Sequence, residues 1–195
     1  GELLDHVDYT KIQYNDETGV VSVPDDMKID LGSVAKGFAG SQTAQYLREN
    51  GVDSALLNLG GNVQTVGCKP DGTPWKIAVK DPNGGTPMIV LSIQDQAVVT
   101  SGGYERYFEQ DGNTYWHIMD PATGRPAESG LTSVTVVADG AAGNGTMCDA
   151  LSTALFVMGE DRALELWRSG VYDFDLILVT EDGRLLATAG IADRF

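Results

Sequence analysis

The stretch LTSVTVVADGAAGNGTMCDALSTALFVM, residues 131–158, holds a strand, a glycine-bearing turn and a helix in immediate succession. Residues 131–138 alternate and are rich in β-branched side chains, which predicts a strand. Residues 139–145, with Gly140, Gly143 and Gly145, predict a flexible connection. Beyond it Cys148, Leu151, Leu155 and Met158 recur at spacings of three and four, the pattern of a helix with one buried stripe. Asp149, Ser152 and Thr153 stand at i, i+3 and i+4, so a helix would gather one carboxylate and two hydroxyls on a face turned away from that stripe. Such a patch suits a hard cation such as Mg2+. The alternative places Asp149 in a first helical turn for its favourable dipole, with Ser152 and Thr153 solvated.

Working outward, a second helix is expected over 161–169, then strands over 176–180 and 184–188 about the turn Glu181-Asp182-Gly183. Upstream, short strands are expected over 10–14, 20–23 and 27–31. A helix with Ser33 as N-cap then carries Ala35, Phe38, Ala39 and Tyr46 as far as Gly51. Strands follow over 55–59, 63–66, 75–79, 88–93 and 97–100, separated by glycine-bearing turns, among them Pro82-Asn83-Gly84-Gly85. A hairpin over 104–109 and 114–119 turns at Asp111-Gly112. With no internal repeat and no dividing linker, the expectation is a single α+β domain over residues 1–195, a mostly antiparallel sheet with packed helices.

Composition narrows the functional classes. Thirteen Lys and Arg against 28 Asp and Glu give a net charge of −15, so the chain repels a polyanionic backbone, and nucleic-acid binding is not expected. The 195 residues, 42% hydrophobic, suffice for a continuous core. No apolar run approaches the ~20 residues that cross a bilayer, so membrane association is expected only through an anchor outside these residues. Cys68 and Cys148 lack the CxxC spacing of a zinc or redox pair and are expected as buried free thiols.

Two further clusters carry polar chemistry. In IDLGSVAKG, residues 29–37, a carboxylate and a glycine turn precede a helix whose free N–H groups suit an anion, with Lys36 one turn in. The alternative is a structural corner capped by Asp30. In TSGGY, residues 100–104, hydroxyls and glycines permit close backbone approach. In WHIMDPATGRP, residues 116–126, His117 stands at a strand end as a candidate base or as a structural histidine.

In order and separation, DLGSVAKG (30–37), NLGGN (58–62), TSG (100–102), HIMDPATGRP (117–126) and DALSTAL (149–155) resemble the ApbE family of FAD:protein FMN transferases. The resemblance runs from about His6 to the C-terminus and implies an ApbE-like, T-fold-like architecture. It implies that Asp30 and Lys36 contact FAD, that Thr100, Ser101, Gly102, His117 and Met119 line the flavin site, and that Ser33, Asp149, Ser152 and Thr153 hold Mg2+. His117 is implied as the base or as a hydrogen-bonding partner of the substrate, and Asp149 as part of the catalytic centre. FAD would be the substrate, with FMN passing to a Thr or Ser of an acceptor such as a subunit of a redox-driven pump. The resemblance also implies an extracytoplasmic, membrane-anchored lipoprotein, and a further segment ahead of residue 1 that completes the adenine and flavin wall. On that expectation the chain is the larger, C-terminal part of a longer protein. Hydrolysis of FAD to FMN and AMP, or flavin binding without turnover, are the alternatives. The stretch 138–147 is longer than the family pattern leads one to expect, which would shift Asp149 relative to the other ligands.

Overall fold

The computed structural model describes residues 2–82, 84–141 and 143–194; Gly1, Asn83 and Ala142, named above within the N-terminus and two loops, lie outside the described residues. In chain order the elements are β1 (Gln13–Asn15), β2 (Val20–Ser22), α1 (Ala35–Glu49), β3 (Ala55–Leu59), β4 (Asn62–Val66), β5 (Trp75–Val79), β6 (Ile89–Ile93) and β7 (Gln96–Gly102). There follow β8 (Tyr107–Gln110), β9 (Asn113–Trp116), β10 (Met119–Asp120), β11 (Arg125–Pro126), β12 (Leu131–Asp139), α2 (Asn144–Ser169), β13 (Asp175–Thr180) and β14 (Leu185–Ala187).

A six-stranded antiparallel sheet in the order β14-β13-β12-β7-β4-β3 forms the middle layer. Because side chains alternate across a strand, β12 feeds two cores at once. Val134, Val136 and Ala138 join Ala97, Val99, Leu176 and Leu178 under α2, where Leu151, Leu155 and Phe156 close the layer. Val137, Val98, Ile177 and Val63 face the other way, onto Ile77, Val79, Leu91 and Ile93 of the β5–β6 hairpin. Both faces of β12 are covered, so its interior residues are buried almost without interruption. The α+β expectation holds in this layered form.

Several boundaries differ for physical reasons. Residues 27–31 form no strand: they run as an irregular, exposed segment in which the Asp30 carboxylate accepts the Gly32 N–H at 2.6 Å, an Asx turn that competes with sheet pairing. Ser33 is not the N-cap; α1 begins at Ala35, and Val34 takes the cap position without a side-chain bond. Phe38 and Tyr46, placed on a helical stripe by spacing, are exposed, and the buried face of α1 is instead Gly37, Gly40, Ser41 and Ala44. The two expected C-terminal helices form one 26-residue run broken at Gly159, whose φ of 81° and ψ of 175° are not helical. The hairpin turns at Asp111-Gly112 as expected, with φ of 52° and 76°, but its strands are shorter than the sequence suggested. Cys148 is fully buried, whereas Cys68 is half-buried.

The small face of α1 allows an unusually close crossing with α2. A Cβ on Gly37 would lie 2.2 Å from the Gly145 carbonyl oxygen and 2.7 Å from the Asp149 Cβ. One on Gly145 would lie 2.2 Å from Gln64 Nε2 and 2.6 Å from Ser41 Oγ, and one on Gly40 would lie 2.3 Å from the same Gln64 nitrogen. Such distances leave room for hydrogen alone. Gly37→Ala should therefore cost about 1–3 kcal/mol by overpacking, read from urea unfolding midpoints. Gln42→Ala on the exposed side of α1 should stay within about 0.5 kcal/mol of wild type.

Candidate functional site

The close crossing decides where Asp149 goes. Helical spacing turns its carboxylate from the apolar stripe toward α1. There Oδ2 accepts the Gly37 N–H at 2.7 Å, in a position with 3% of its surface exposed. Gly37 lies in the first turn of α1, where N–H groups lack intrahelical partners, so the carboxylate completes the helix start and meets its positive dipole end. Burial pushes the Asp149 pKa upward; the Gly37 N–H, the Lys36 charge and the Asn62 amide pull against it.

One turn on, Ser152 is fully buried and Thr153 half-buried. Ser101 Oγ lies 2.7 Å from Ser152 Oγ and 3.3 Å from Thr153 Oγ1, and both of those hydroxyls reach back to the Asp149 carbonyl, at 2.9 and 3.4 Å. Three hydroxyls thus gather about the Asp149 backbone carbonyl at the α2–β7 contact, while the Asp149 carboxylate, one helical turn before them on the same face of α2, turns to the Gly37 N–H. No group of three or more His, Cys, Asp or Glu side chains suited to a metal occurs among the described residues. A cation here would draw on Asp149 with hydroxyls, water and a ligand's own oxygens. That donor set fits Mg2+, which accepts one carboxylate and keeps water or phosphate for the remaining positions, and it does not fit zinc.

Thr100 and Ser101 are neighbours on β7 and so face opposite sides of the sheet. Ser101 meets α2, while Thr100 bonds Thr135 Oγ1 at 2.8 Å and lines a cleft of about 510 Å3 with Asn58, Gly60, Gly61, Lys76, Lys80 and Tyr104. Lys36 Nζ donates to the Gly60 carbonyl at 3.4 Å, which ties the first turn of α1 to the cleft rim. Lys76 and Lys80 against the single carboxylate of Glu105 leave the wall net positive in a strongly acidic protein, which favours an anionic ligand.

The remaining candidates lie elsewhere in the fold. Asp30 is exposed in its Asx turn, and Ser33 is exposed in the turn before α1; among the described residues no hydrogen bond joins either to Asp149, Ser152 or Thr153. His117, between β9 and β10, is exposed, and its Nδ1 lies 3.1 Å from the Arg106 carbonyl. A carbonyl accepts only, so the neutral ring carries its proton on Nδ1 and leaves the Nε2 lone pair for a substrate proton. Met119 is 47% exposed and lines a groove with Leu3, Leu4 and Val7. Gly102 is buried where a Cβ would strike the Tyr104 ring at 2.5 Å.

The sequence reading passed over Gly37 as a donor, and Gln64, Lys76 and Lys80 altogether. The spacing of Gly37, Gly40, Ser41 and Ala44, at i, i+3, i+4 and i+7, was the available signal for a close helix crossing. The long stretch before α2 is used locally: Asp139 Oδ1 accepts the Ala141 N–H at 3.0 Å and bonds the Asn144 amide, and Gly143 takes the left-handed position ahead of the helix. Cys148, beside Asp149, has its thiol pKa pushed up to about 12 by burial first and then by Asp149 and Asp139, which makes it unreactive.

Asp149 gives the fold a pH signature. Its folded pKa exceeds the ordinary 3.8, so the folded state holds the proton more tightly, and this residue's contribution to stability falls as pH rises from 3.8 through the raised value. In urea titrations across that window without divalent cation, Asp149→Asn should lack this descent and exceed wild type in stability at neutral pH.

Residues 1–177 match the ApbE family. An FAD:protein FMN transferase of Treponema pallidum is 41% identical over 180 residues, which are 86% of this chain and 48% of that protein. One from Vibrio cholerae is 36% identical over 81% of this chain and 47% of its own length. Among solved structures, the ApbE protein of Thermotoga maritima superposes with a TM-score of 0.86 at 38% identity, covering 97% of this chain and 60% of that one. The flavin transferase ApbE of Vibrio cholerae gives 0.81 at 29% identity, over 98% and 60%. The chain spans about half the length of the curated relatives it matches. A match over most of the chain, together with the shared layered fold, establishes that this protein belongs to the ApbE family.

Proposed function

We propose that this chain carries the catalytic centre of an FAD:protein FMN transferase. The observation that carries the reading is the placement at one face of α2 of the buried Asp149 carboxylate, held by Gly37 at the start of α1, and the hydroxyls of Ser101, Ser152 and Thr153, with Lys36 and the Thr100–Ser101 step linking them to a cleft that holds Lys76 and Lys80. Relatives at 36–41% identity bear that activity in their names.

In this reading FAD binds across the end of β7, its pyrophosphate toward Asp149, Ser101 and Lys36 and its flavin past Thr100 and the Gly102 backbone toward His117 and Met119. Asp30 contacts FAD from the turn before α1, and Ser33 adds an oxygen to the cation site. Mg2+ held by Asp149, Ser152 and Thr153 would supply neutralisation of the pyrophosphate charge as it is redistributed. An acceptor Thr or Ser hydroxyl attacks the phosphorus on the FMN side; the bond from that phosphorus to the bridging oxygen breaks, and AMP leaves with that oxygen. His117 Nε2 takes the hydroxyl proton, a role its Nδ1 contact with Arg106 leaves it free to fill. Lys36 adds positive charge beside the leaving phosphate. The acceptor is a protein such as a subunit of a redox-driven pump, and the reaction belongs outside the cytoplasm on a membrane-anchored protein.

Incubation of the chain with FAD, Mg2+ and a threonine-bearing acceptor peptide tests this. AMP release should require Mg2+, and the peptide should retain flavin fluorescence after denaturation. His117→Ala should lower transfer by about 10²–10⁴-fold, far more than it weakens FAD retention, and Asp149→Ala should abolish AMP release. Free FMN and AMP with an unlabelled peptide would instead identify hydrolysis, and retained FAD with no product would identify a flavin-binding module.

A further inference from the structure

Strand β4 sends Asn62 and Gln64 to one face, toward α1 and α2, while Val63 between them joins the opposite core. Both amides are buried, at 1% and 4% exposure, where an unsatisfied polar group is costly. Gln64 is accounted for: Nε2 donates to the Gly37 carbonyl at 3.1 Å and lies 3.3 Å from Asn62 Oδ1. The second contact orients Asn62, because an oxygen facing an N–H donor leaves the amide nitrogen on the other side. That nitrogen, Nδ2, closes no hydrogen bond of good geometry. The Asn62 amide is among the groups that favour the charged form of the Asp149 carboxylate, whose Oδ2 is already engaged by Gly37.

These contacts nearly close a ring. Gly37 gives its carbonyl to Gln64 and its N–H to Asp149, and Gln64 orients Asn62, whose unpaired buried donor is the link the ring lacks. A carboxylate held at one oxygen can pivot about that bond, and a second donor removes the freedom. We propose that Asn62, oriented by Gln64, is a positioning residue that donates to the Asp149 carboxylate and fixes the direction in which it presents its free lone pairs to a divalent cation. The proposal rests on the reading of Asp149 as a cation ligand. Hydrogen-bond partners of a metal-binding side chain typically account for about 10–100-fold in metal affinity.

The test combines a double-mutant cycle with cation binding. Asn62→Asp preserves the oxygen that faces Gln64 and replaces the donor by an oxygen facing Asp149. In cation-free protein at neutral pH it should lower Tm markedly, and by less than half as much in an Asp149→Asn background, where the introduced carboxylate meets an amide. An equal loss in both backgrounds overturns the pairing, because a packing role does not depend on the charge of Asp149. Mn2+ is then titrated, with FAD at fixed concentration, by the paramagnetic resonance signal of the free ion. Asn62→Ala should weaken Mn2+ binding by about tenfold or more in protein whose circular dichroism matches wild type. Unchanged affinity in Asn62→Ala with weakened affinity in Asp149→Asn overturns this proposal and leaves the cation reading standing. No Mn2+ binding by wild type, or equal affinity in all three proteins, overturns the cation reading and the proposal with it.

Discussion

The glycine-to-glycine crossing of α1 and α2 is the constraint on which the site depends. Gly37 and Gly145 bring two helix backbones to a separation that a single methyl group would open, and Gly40 leaves room for the Gln64 amide beside them. At that separation a backbone N–H of α1 reaches a carboxylate of α2, and the Gln64 amide fits beneath both. The polar contacts follow from the approach distance, since the shift of about 1 Å that would relieve an alanine's 2.2 Å clash at Gly37 would stretch its 2.7 Å bond to Asp149 beyond hydrogen-bonding range. Association through small residues also explains why α1 can leave Phe38 and Tyr46 exposed: its contribution to the core is closeness rather than apolar bulk.

The sheet supplies the second coordinate. β7 lies between β12 and β4, so its residues are fixed against both neighbours, and alternation directs Ser101 to the helix layer and Thr100 to the hairpin layer. A single dipeptide therefore couples the oxygen cluster under α2 to the cleft on the opposite face. The doubly covered β12 makes this frame rigid, because shifting it by one residue would exchange the contents of two packed cores.

Electrostatically the site runs against the rest of the molecule. The chain carries −15, yet its cleft sets Lys76 and Lys80 against Glu105 with Lys36 at the rim, and the deeply buried carboxylate of Asp149 stands beside a helix N-terminus. Burial raises the Asp149 pKa, and donors that favour the charged form offset only part of that rise. A bound cation would complete that compensation, and a phosphate-bearing ligand would in turn be neutralised by cation and lysines together.

Much of this was legible in the residues. The strand-turn-helix order of 131–158, the hairpin turn at Asp111-Gly112 and the shared helical face of Asp149, Ser152 and Thr153 follow from local periodicity and turn chemistry, which act over a few residues. The family also followed from the sequence, because several short motifs stand in register. The failures share a cause. Phe38 and Tyr46 appeared to form a stripe since periodicity marks a helix but not the side its neighbours cover, and residues 27–31 appeared strand-like since composition does not register the Asp30 turn that replaces pairing. Which face of α1 is buried, that Gly37 serves Asp149 from 112 residues away, and that Gln64 orients Asn62 were decided by tertiary structure, because each depends on the distance between elements remote in sequence.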